Sequence, residues 1–386
     1  MRVDNELVER VRTSLTATSG APTASEVAAA LRAEGTVLGD AAVLDVTARL
    51  RAEISGAGPL EALLHEPGVT DVLVNGPAEV WVDRGGGLDR VPLQLGAEAD
   101  VRRLAQRLAA SAGRRLDDAM PYVDARLAEG VRLHAVLPPI SPHGTVISLR
   151  VPAAHGFSMD ELVSAGSVAA GVAPWLRKVV RSRLAFLVTG GTGTGKTTVL
   201  AALLSLADPA ERVVLVEDSG ELQPALPHVV RLEARPPNVE GAGRVGLDEL
   251  VRQALRMRPD RLVVGEVRGR EVVDLLSALN TGHEGGCGTL HANSAADVPA
   301  RLEALGVAAG LSRQAVHAQA AAGVDAVVHL VRDGAGRRRI AEIGVVERTT
   351  DGTVNVVPAV RSPAPGGFVE EAAAPRLRAR LARVAA

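Results

Sequence analysis

The segment Gly190-Gly191-Thr192-Gly193-Thr194-Gly195-Lys196-Thr197 has the spacing G-x-x-x-x-G-K-[S/T]. Glycines at that spacing let the backbone curl until successive N–H groups point inward, which suits a chain of phosphate oxygens. An apolar run, Leu184–Val188, precedes the segment, and a helical pattern (Val199, Leu200, Leu203, Leu204) follows it. A strand therefore feeds the loop, and the N-terminus of a helix adds the positive end of its dipole. Gly190, Gly191, Thr192, Gly193, Thr194 and Gly195 with Lys196, Thr197 and Thr198 form the cradle on this reading. Lys196 reaches the β- and γ-phosphates of a nucleotide, and the Thr197 hydroxyl ligates Mg²⁺. Of the 43 basic residues only Lys178 and Lys196 are lysine. In a chain that uses arginine for generic positive charge, a retained lysine marks chemistry that a guanidinium does not replace.

A phosphate loop alone binds nucleotide; hydrolysis needs an acidic group on a neighbouring strand. Leu262-Val263-Val264-Gly265-Glu266 is a buried-type strand with its carboxylate at the C-terminal end, the edge where parallel sheets bind ligands. Glu266 there polarises the attacking water or holds an Mg²⁺-bound water. A second acidic cluster, Glu217-Asp218-Ser219-Gly220-Glu221, also follows an apolar run. Carboxylates crowded beside a phosphate site are explained by a cation between them. A glycine-rich stretch, Gly282 to Gly288, leads into Thr289-Leu290-His291, where His291 is placed to sense the γ-phosphate. Cys287 is the single cysteine, so disulfides and a cysteine-rich zinc site are not expected.

These groups need elements to hold them. The chain has 386 residues, 47% apolar but only 2% aromatic, which gives two or three domains with Ala, Val and Leu cores. A net charge of −2 speaks against a surface built to grip nucleic acid or anionic lipid, and so few rings speak against stacked bases. Apolar spacing makes residues 1–56 an N-terminal helical segment (Leu7, Val8, Val11, Leu15; Val27, Leu31; Val43, Leu44, Leu50, Ile54). Residues 57–151 read as strands, one helix (Val101–Ala110) and more strands, an α+β domain. Residues 152–183 read as a linker with helices. Residues 184–361 alternate strand and helix, which implies a mostly parallel sheet covered by helices. Residues 362–386 read as a flexible tail: a Pro/Gly-rich linker, then a weak exposed helix. The turn Arg337-Arg338-Arg339 has no partner beyond solvent on this reading. No secretory signal or apolar run long enough to span a bilayer is evident.

The ordered motifs resemble the secretion ATPases of the type II/type IV superfamily. They are the phosphate loop, Glu217-Asp218-xx-Glu221, Arg258-Pro259-Asp260-Arg261-xxx-Gly265-Glu266-Val267-Arg268, and Gly282-His283-Glu284-Gly285-xxx-Thr289-Leu290-His291-Ala292-Asn293. In that superfamily they are the Walker A, Asp, Walker B and His boxes. Upstream, Gly58-Pro59-Leu60-Glu61, Val69 to Gly76, Asp124-Ala125-Arg126-Leu127, Arg132 to Pro139 and Ile147-Ser148-Leu149-Arg150 look like the N-terminal domain of the tight-adherence (Flp) pilus assembly ATPases. The resemblance runs from about Gly58 to Asp333.

It implies a PAS-like N-domain, a RecA-like ATPase domain, ATP and Mg²⁺ as ligands, and a homohexamer with nucleotide between the domains. It also implies Arg126, Arg132 and Arg150 as N-domain arginines that reach the phosphates. The motor would be cytoplasmic, at the inner face of the membrane, acting on an inner-membrane platform protein to power pilus assembly or secretion. Type II members often carry a four-cysteine zinc module; with one cysteine this chain fits the pilus or conjugation branch, without zinc. The Asp box, Glu-Asp-Ser-Gly-Glu, leaves open which of Glu217 and Asp218 is the working carboxylate. Two other functions share such a core: a nucleic-acid translocase or conjugation ATPase, and a nucleotide-binding regulator without turnover. No basic nucleic-acid module is evident for the first, and the presence of Glu266 and Thr197 speaks against the second.

Overall fold

The computed structural model describes residues 24–34, positions 39, 43, 44, 46, 47 and 50, and residues 56–383 apart from 128–129, 153–155, 236, 238–241, 335 and 365. The expected helical positions Leu7, Val8, Val11, Leu15 and Ile54 lie outside them; Val27 and Leu31 fall on α1 (Ala24–Ala33) and are buried. The chain divides into two compact units, residues 1–153 and 154–386.

The first unit carries α2 (Glu61–Leu64), β1 (Asp71–Val74), β2 (Val80–Asp83), β3 (Leu88–Val91), α3 (Glu98–Ser111), β4 (Tyr122–Arg126), β5 (Arg132–Val136) and β6 (Val146–Arg150). The strands form one sheet in the order β3-β2-β1-β6-β5-β4, every neighbour antiparallel. Alternation decides its two faces. Val72, Val74, Leu133, Ala135, Ile147 and Leu149 point into a core with Val101, Leu104, Ala105 and Leu108 of α3. The residues between them, among them Asp124, Arg126, His134, Ser148 and Arg150, lie on the opposite face.

The second unit continues with α4 (Met159–Ser164), α5 (Ala173–Arg181), β7 (Phe186–Gly190), α6 (Lys196–Leu204), β8 (Val213–Glu217), β9 (Val229–Glu233), α7 (Leu247–Leu255), β10 (Arg261–Val267), α8 (Glu271–Leu279), β11 (Cys287–His291), α9 (Val298–Ala308), α10 (Arg313–Gly323), β12 (Ala326–Arg332), β13 (Arg338–Arg348), β14 (Val354–Arg361), β15 (Val369–Glu370) and α11 (Ala374–Arg383). Its sheet runs β15-β14-β13-β12-β7-β11-β10-β8-β9. The strands from β12 to β9 are parallel, and β13, β14 and β15 extend the sheet antiparallel. Helices cover both faces, so the central strands are apolar throughout. Phe186 and Val188 pack with α6, while Leu187 between them packs in a second cluster with residues of α7, α8 and α9. At the foot of β10 the buried Arg261 pairs with Glu211 and donates to the carbonyls of Val180 at 2.8 Å and Gly285 at 3.3 Å.

Two segments differ from the sequence reading. Residues 152–183 are not a linker: Met159, Leu162, Trp175, Leu176, Val179 and Val180 are buried in the same core as α6. Residues 362–386 are not a flexible tail over their described part. Ala373, Ala374 and Leu377 are buried in that core, and α11 is pinned by polar contacts. Arg380 donates to the carbonyls of Asp325 and Val346, each at 2.6 Å, and Ser182 donates to the Leu381 carbonyl at 3.0 Å. The Arg378 guanidinium lies 5.1 Å from the centre of the Trp175 ring. The arginines that suggest exposure bond carbonyls and cover a ring, leaving a narrow apolar stripe to enter the core.

Candidate active site

Strand β7 runs straight into the glycine loop, and α6 opens at Lys196. Gly195, immediately before it, has φ 88°, a left-handed conformation that a side chain resists. Gly190 is glycine for a second reason: a Cβ there would stand 2.6 Å from the Leu330 carbonyl oxygen of β12. Thr194 donates to the Gly191 carbonyl at 2.9 Å, closing the loop from inside. The Lys196 ammonium donates to the carbonyls of Gly190 at 3.1 Å and Gly191 at 2.9 Å. Burial holds its pKa below the ordinary value, and the charge of Glu266 works the other way. Thr192 and Gly193 at the tip are exposed; Thr197 and Thr198 are half-buried on the first turn of α6.

Three neighbouring strands bring the other groups to this edge. His291 ends β11 directly opposite Gly190 of β7. Next to β11, β10 carries a bulge: Val264 pairs with Gly288 but Val267 pairs with Leu290, so one extra residue sits around Gly265 and Glu266. Such a bulge re-aims a side chain and releases local pairing. The Thr289 hydroxyl steadies it, donating to the Gly265 carbonyl at 2.6 Å. Beside β10, Glu217 ends β8, and a Cβ on Gly265 would lie 2.8 Å from its Cγ.

The acidic cluster does not converge on a common point. Glu217 is buried; its Oε1 accepts N–H bonds from Glu221 at 3.0 Å and Leu222 at 2.9 Å, and its Oε2 is buried with no partner among the described residues. Burial pushes its carboxyl up to about 7, against those two N–H bonds. Asp218 turns outward to Arg268, which also stands 3.6 Å from Glu266. Burial works against the Arg268 charge, but Asp218, Glu266 and Glu271 outweigh it and hold the group above its ordinary value. Glu221 is exposed. The expectation of a cation among Glu217, Asp218 and Glu221 is therefore corrected: among the described residues, no group of three His, Cys, Asp or Glu could hold a metal ion. The turn after β8 sends each carboxylate in its own direction. Cys287 is buried, which pushes its thiol up to about 12.

Sequence reasoning missed His329. It is buried on β12, with Nδ1 2.9 Å from the Thr189 hydroxyl, and it is hydrogen-bonded to the backbone of Asn293. It thereby ties the strand before the phosphate loop to the segment after His291. Burial lowers its pKa, against the Asn293 backbone bond and the charge of Asp297. A lone histidine in the apolar run of β12 carries no signal in sequence. The motif segment Arg258 to Arg261 proves to be framework: Asp260 accepts the Arg212 N–H at 2.7 Å, and Arg261 is the buried partner of Glu211.

In the first unit, Arg126, Arg132 and Arg150 are directly opposed across β4, β5 and β6. They form a row on the sheet face away from α3, ending at Asp71, which is opposite Arg150 on β1. Arg132 is bidentate to Asp124, at 3.2 and 2.8 Å. Arg150 has no hydrogen-bond or ion-pair partner among the described residues. Like charges are thus directly opposed across three strands, an arrangement that is destabilising unless neighbouring groups offset it.

The sequence profile of the type II/IV secretion system protein family matches residues 53–358. The chain belongs to this family. A relative in Mycobacterium tuberculosis strain H37Rv, named provisionally for conjugal transfer, is 56% identical over 327 residues, which is 83% of this chain and 93% of that protein. The conjugal transfer protein TrbB of Rhizobium radiobacter is 32% identical over 282 residues, 71% of this chain and 83% of TrbB. Among solved structures, the pilus retraction motor PilT with bound ADP matches at TM-score 0.53 and 22% identity, over 74% of this chain and 81% of PilT. That likeness shows the shared α/β fold. No helix among the described residues of this family member is long and apolar enough to cross a membrane.

Proposed function

We propose that the protein is a hexameric motor ATPase that powers pilus assembly or protein secretion through an inner-membrane platform protein, working at the inner face of the cytoplasmic membrane. The observation that carries this is the phosphate loop itself. Gly190 leaves no room for a side chain, Gly193 and Gly195 adopt left-handed backbone, the lysine is held by two loop carbonyls, and the bulged strand with Glu266 ends at the same sheet edge. In this reading residues 184–361 are the RecA-like ATPase domain and residues 57–151 a PAS-like domain.

The residues fit a nucleotide and its cation. The cradle offers N–H groups and one ammonium, and Glu266 sits on the bulged strand that ends at the same edge. Thr197 and Glu266 would hold Mg²⁺, which neutralises charge on the phosphate oxygens. Lys196 binds the β- and γ-phosphates, with Thr198 and the loop N–H groups around them. Glu266 takes the proton of the attacking water. Glu217 and Glu221 shape the floor of the site, and His291 reports the γ-phosphate from the end of β11. The row Arg126, Arg132 and Arg150 supplies further positive charge to the nucleotide in the assembled ring.

Conjugal transfer is a second reading, favoured by the names of the relatives in Mycobacterium tuberculosis and Rhizobium radiobacter. One assay separates the readings: Mg²⁺-dependent ATP turnover of the purified protein alone, with single-stranded DNA, and with the membrane fraction holding its platform. Stimulation by the platform and not by DNA supports the secretion or pilus motor. Stimulation by DNA supports a translocase. Binding of ATP with no turnover under any condition leaves a regulator.

A further inference from the structure

The structure separates the three arginines of the hairpin between β12 and β13. Arg337 is spent on the turn: its backbone N–H and its Nε donate to the Asp333 carboxylate, each at 2.9 Å. Arg339 is spent on the chain after β14, donating to the carbonyls of Ser362 and, at 3.4 Å, Pro363. Arg332, opposite Arg338 in the hairpin, donates to the Gly336 carbonyl at 3.0 Å. The Arg338 side chain is exposed and has no hydrogen-bond or ion-pair partner among the described residues.

Its direction follows from register. Alternate residues of a strand share a face. Ile340, two residues on, is buried in the core that contains Val199 and Leu200 of α6. Arg338 is therefore on the α6 side of the sheet. Leu330 pairs with Ile340 on one side and with Gly190 on the other, so Arg338 stands just past the level of the phosphate loop. A Cβ built on Gly195 would lie 3.7 Å from Cδ of Arg338. The stem of the side chain thus rests against the loop residue that precedes Lys196.

A guanidinium whose stem lies against Gly195, at the N-terminus of α6, and which has no side-chain hydrogen-bond or ion-pair partner among the described residues, is open to an anion. Its flat fork of donors matches phosphate oxygens. We propose that Arg338 is a further nucleotide-binding residue, gripping the phosphate chain from the hairpin side within the same subunit. The inference rests on the phosphate-loop reading above. It gives the ATPase unit a second cation of its own, whose task is retention of nucleotide: ATP and ADP both carry the phosphates it holds.

The test is equilibrium binding of a fluorescent ADP analogue to the full chain, with competition by ATP and by inorganic pyrophosphate. Arg338→Gln is expected to weaken ADP, ATP and pyrophosphate alike, by about 10–100-fold, as for loss of a charged hydrogen bond. Turnover at saturating ATP should fall by no more than about threefold, since binding common to ground and transition state leaves kcat alone. Arg338→Lys should recover part of the affinity. Circular dichroism without nucleotide checks that both variants fold. Unchanged affinities in Arg338→Gln overturn the proposal. So does a loss confined to ADP and ATP with pyrophosphate unaffected, which would put the guanidinium on the base or ribose. If the wild-type protein itself binds neither nucleotide nor pyrophosphate, the phosphate-loop reading has failed, and this inference fails with it.

Discussion

In the second unit the groups offered to an anion are backbone N–H groups and the Lys196 ammonium, fixed by the chain that carries them, with the Arg338 stem against Gly195. Lys196 already has the carbonyls of Gly190 and Gly191 as partners, and Thr194 closes the loop. In the first unit they are Arg126, Arg132 and Arg150, side by side on three strands, with Asp124 bidentate to the middle one and Asp71 opposite Arg150. The loop closes on its own carbonyls, whereas the row sets like charges opposite one another across three strands. A fixed cradle suits tight ground-state binding. In the proposed function, the row suits a contact made at one stage of a cycle.

The contrast is sharpened first at Lys196. Lys196→Ala is expected to abolish measurable ATP turnover while circular dichroism stays that of the wild type, because the ammonium faces the loop and not the core. Turnover near the wild-type rate would remove the loop from the mechanism. Glu266→Gln comes next. It keeps size and hydrogen bonding, so ATP binding by equilibrium dialysis should persist while kcat drops by about 10²–10⁴-fold, the usual share of a general base.

The row should behave differently from both. Arg132→Ala and Arg150→Ala are expected to lower kcat by about 10–100-fold, below the full worth of an arginine finger because three residues share the task. ATP affinity should change less than turnover. Without nucleotide Arg150→Ala should melt no lower than wild type, since it removes an opposed like charge and no ion pair among the described residues, relieving about 0.2–1 kcal/mol of repulsion. When mixed into wild-type rings, both variants should depress activity more than in proportion to their fraction. A strictly linear mixing curve would make the row a property of isolated subunits.

The smallest effect is expected at Glu217. Its carboxyl is pushed from 4.5 up to about 7 in the folded protein, chiefly by burial. The native state thus holds a proton that the unfolded chain releases across that window, so this group's contribution to stability declines as pH climbs through it. Urea melts should show Glu217→Gln flattening the decline between pH 5 and pH 8, with a gain of roughly 1–3 kcal/mol at the upper end. An unaltered slope would mean that Glu217 is ionised in the native protein.

What could be read from sequence was local. The phosphate loop, its flanking strand and helix, and the boundaries of Val213–Glu217, Leu247–Leu255 and Glu271–Leu279 depend on near neighbours in the chain, and the structure has them where the pattern puts them. Strand β9 was not legible: Val229–Glu233 is an edge strand whose residues are at most half-buried, so no apolar run marks it. That Arg126, Arg132 and Arg150 stand in one row is a matter of register between strands, which composition does not carry. The split between Glu217, buried, and Asp218, turned to Arg268, depends on where a strand ends against Gly265. The bulge at Gly265 and Glu266 requires knowing the partner strand, and His329 requires two neighbours far away in sequence.

Helix α11 ties the order of synthesis to the order of folding. Every strand and helix that builds the phosphate site has been made by residue 348, yet Trp175 and Val179 of α5 share their core with Leu377 and Leu381, and Val346 gives its carbonyl to Arg380. The first unit has all its strands by residue 150 and is free to close early. The second must keep an apolar flank uncovered until the last helix has been made. A chain broken off between residues 361 and 377 would therefore carry every residue of the phosphate loop and its neighbouring strands on an unfinished core.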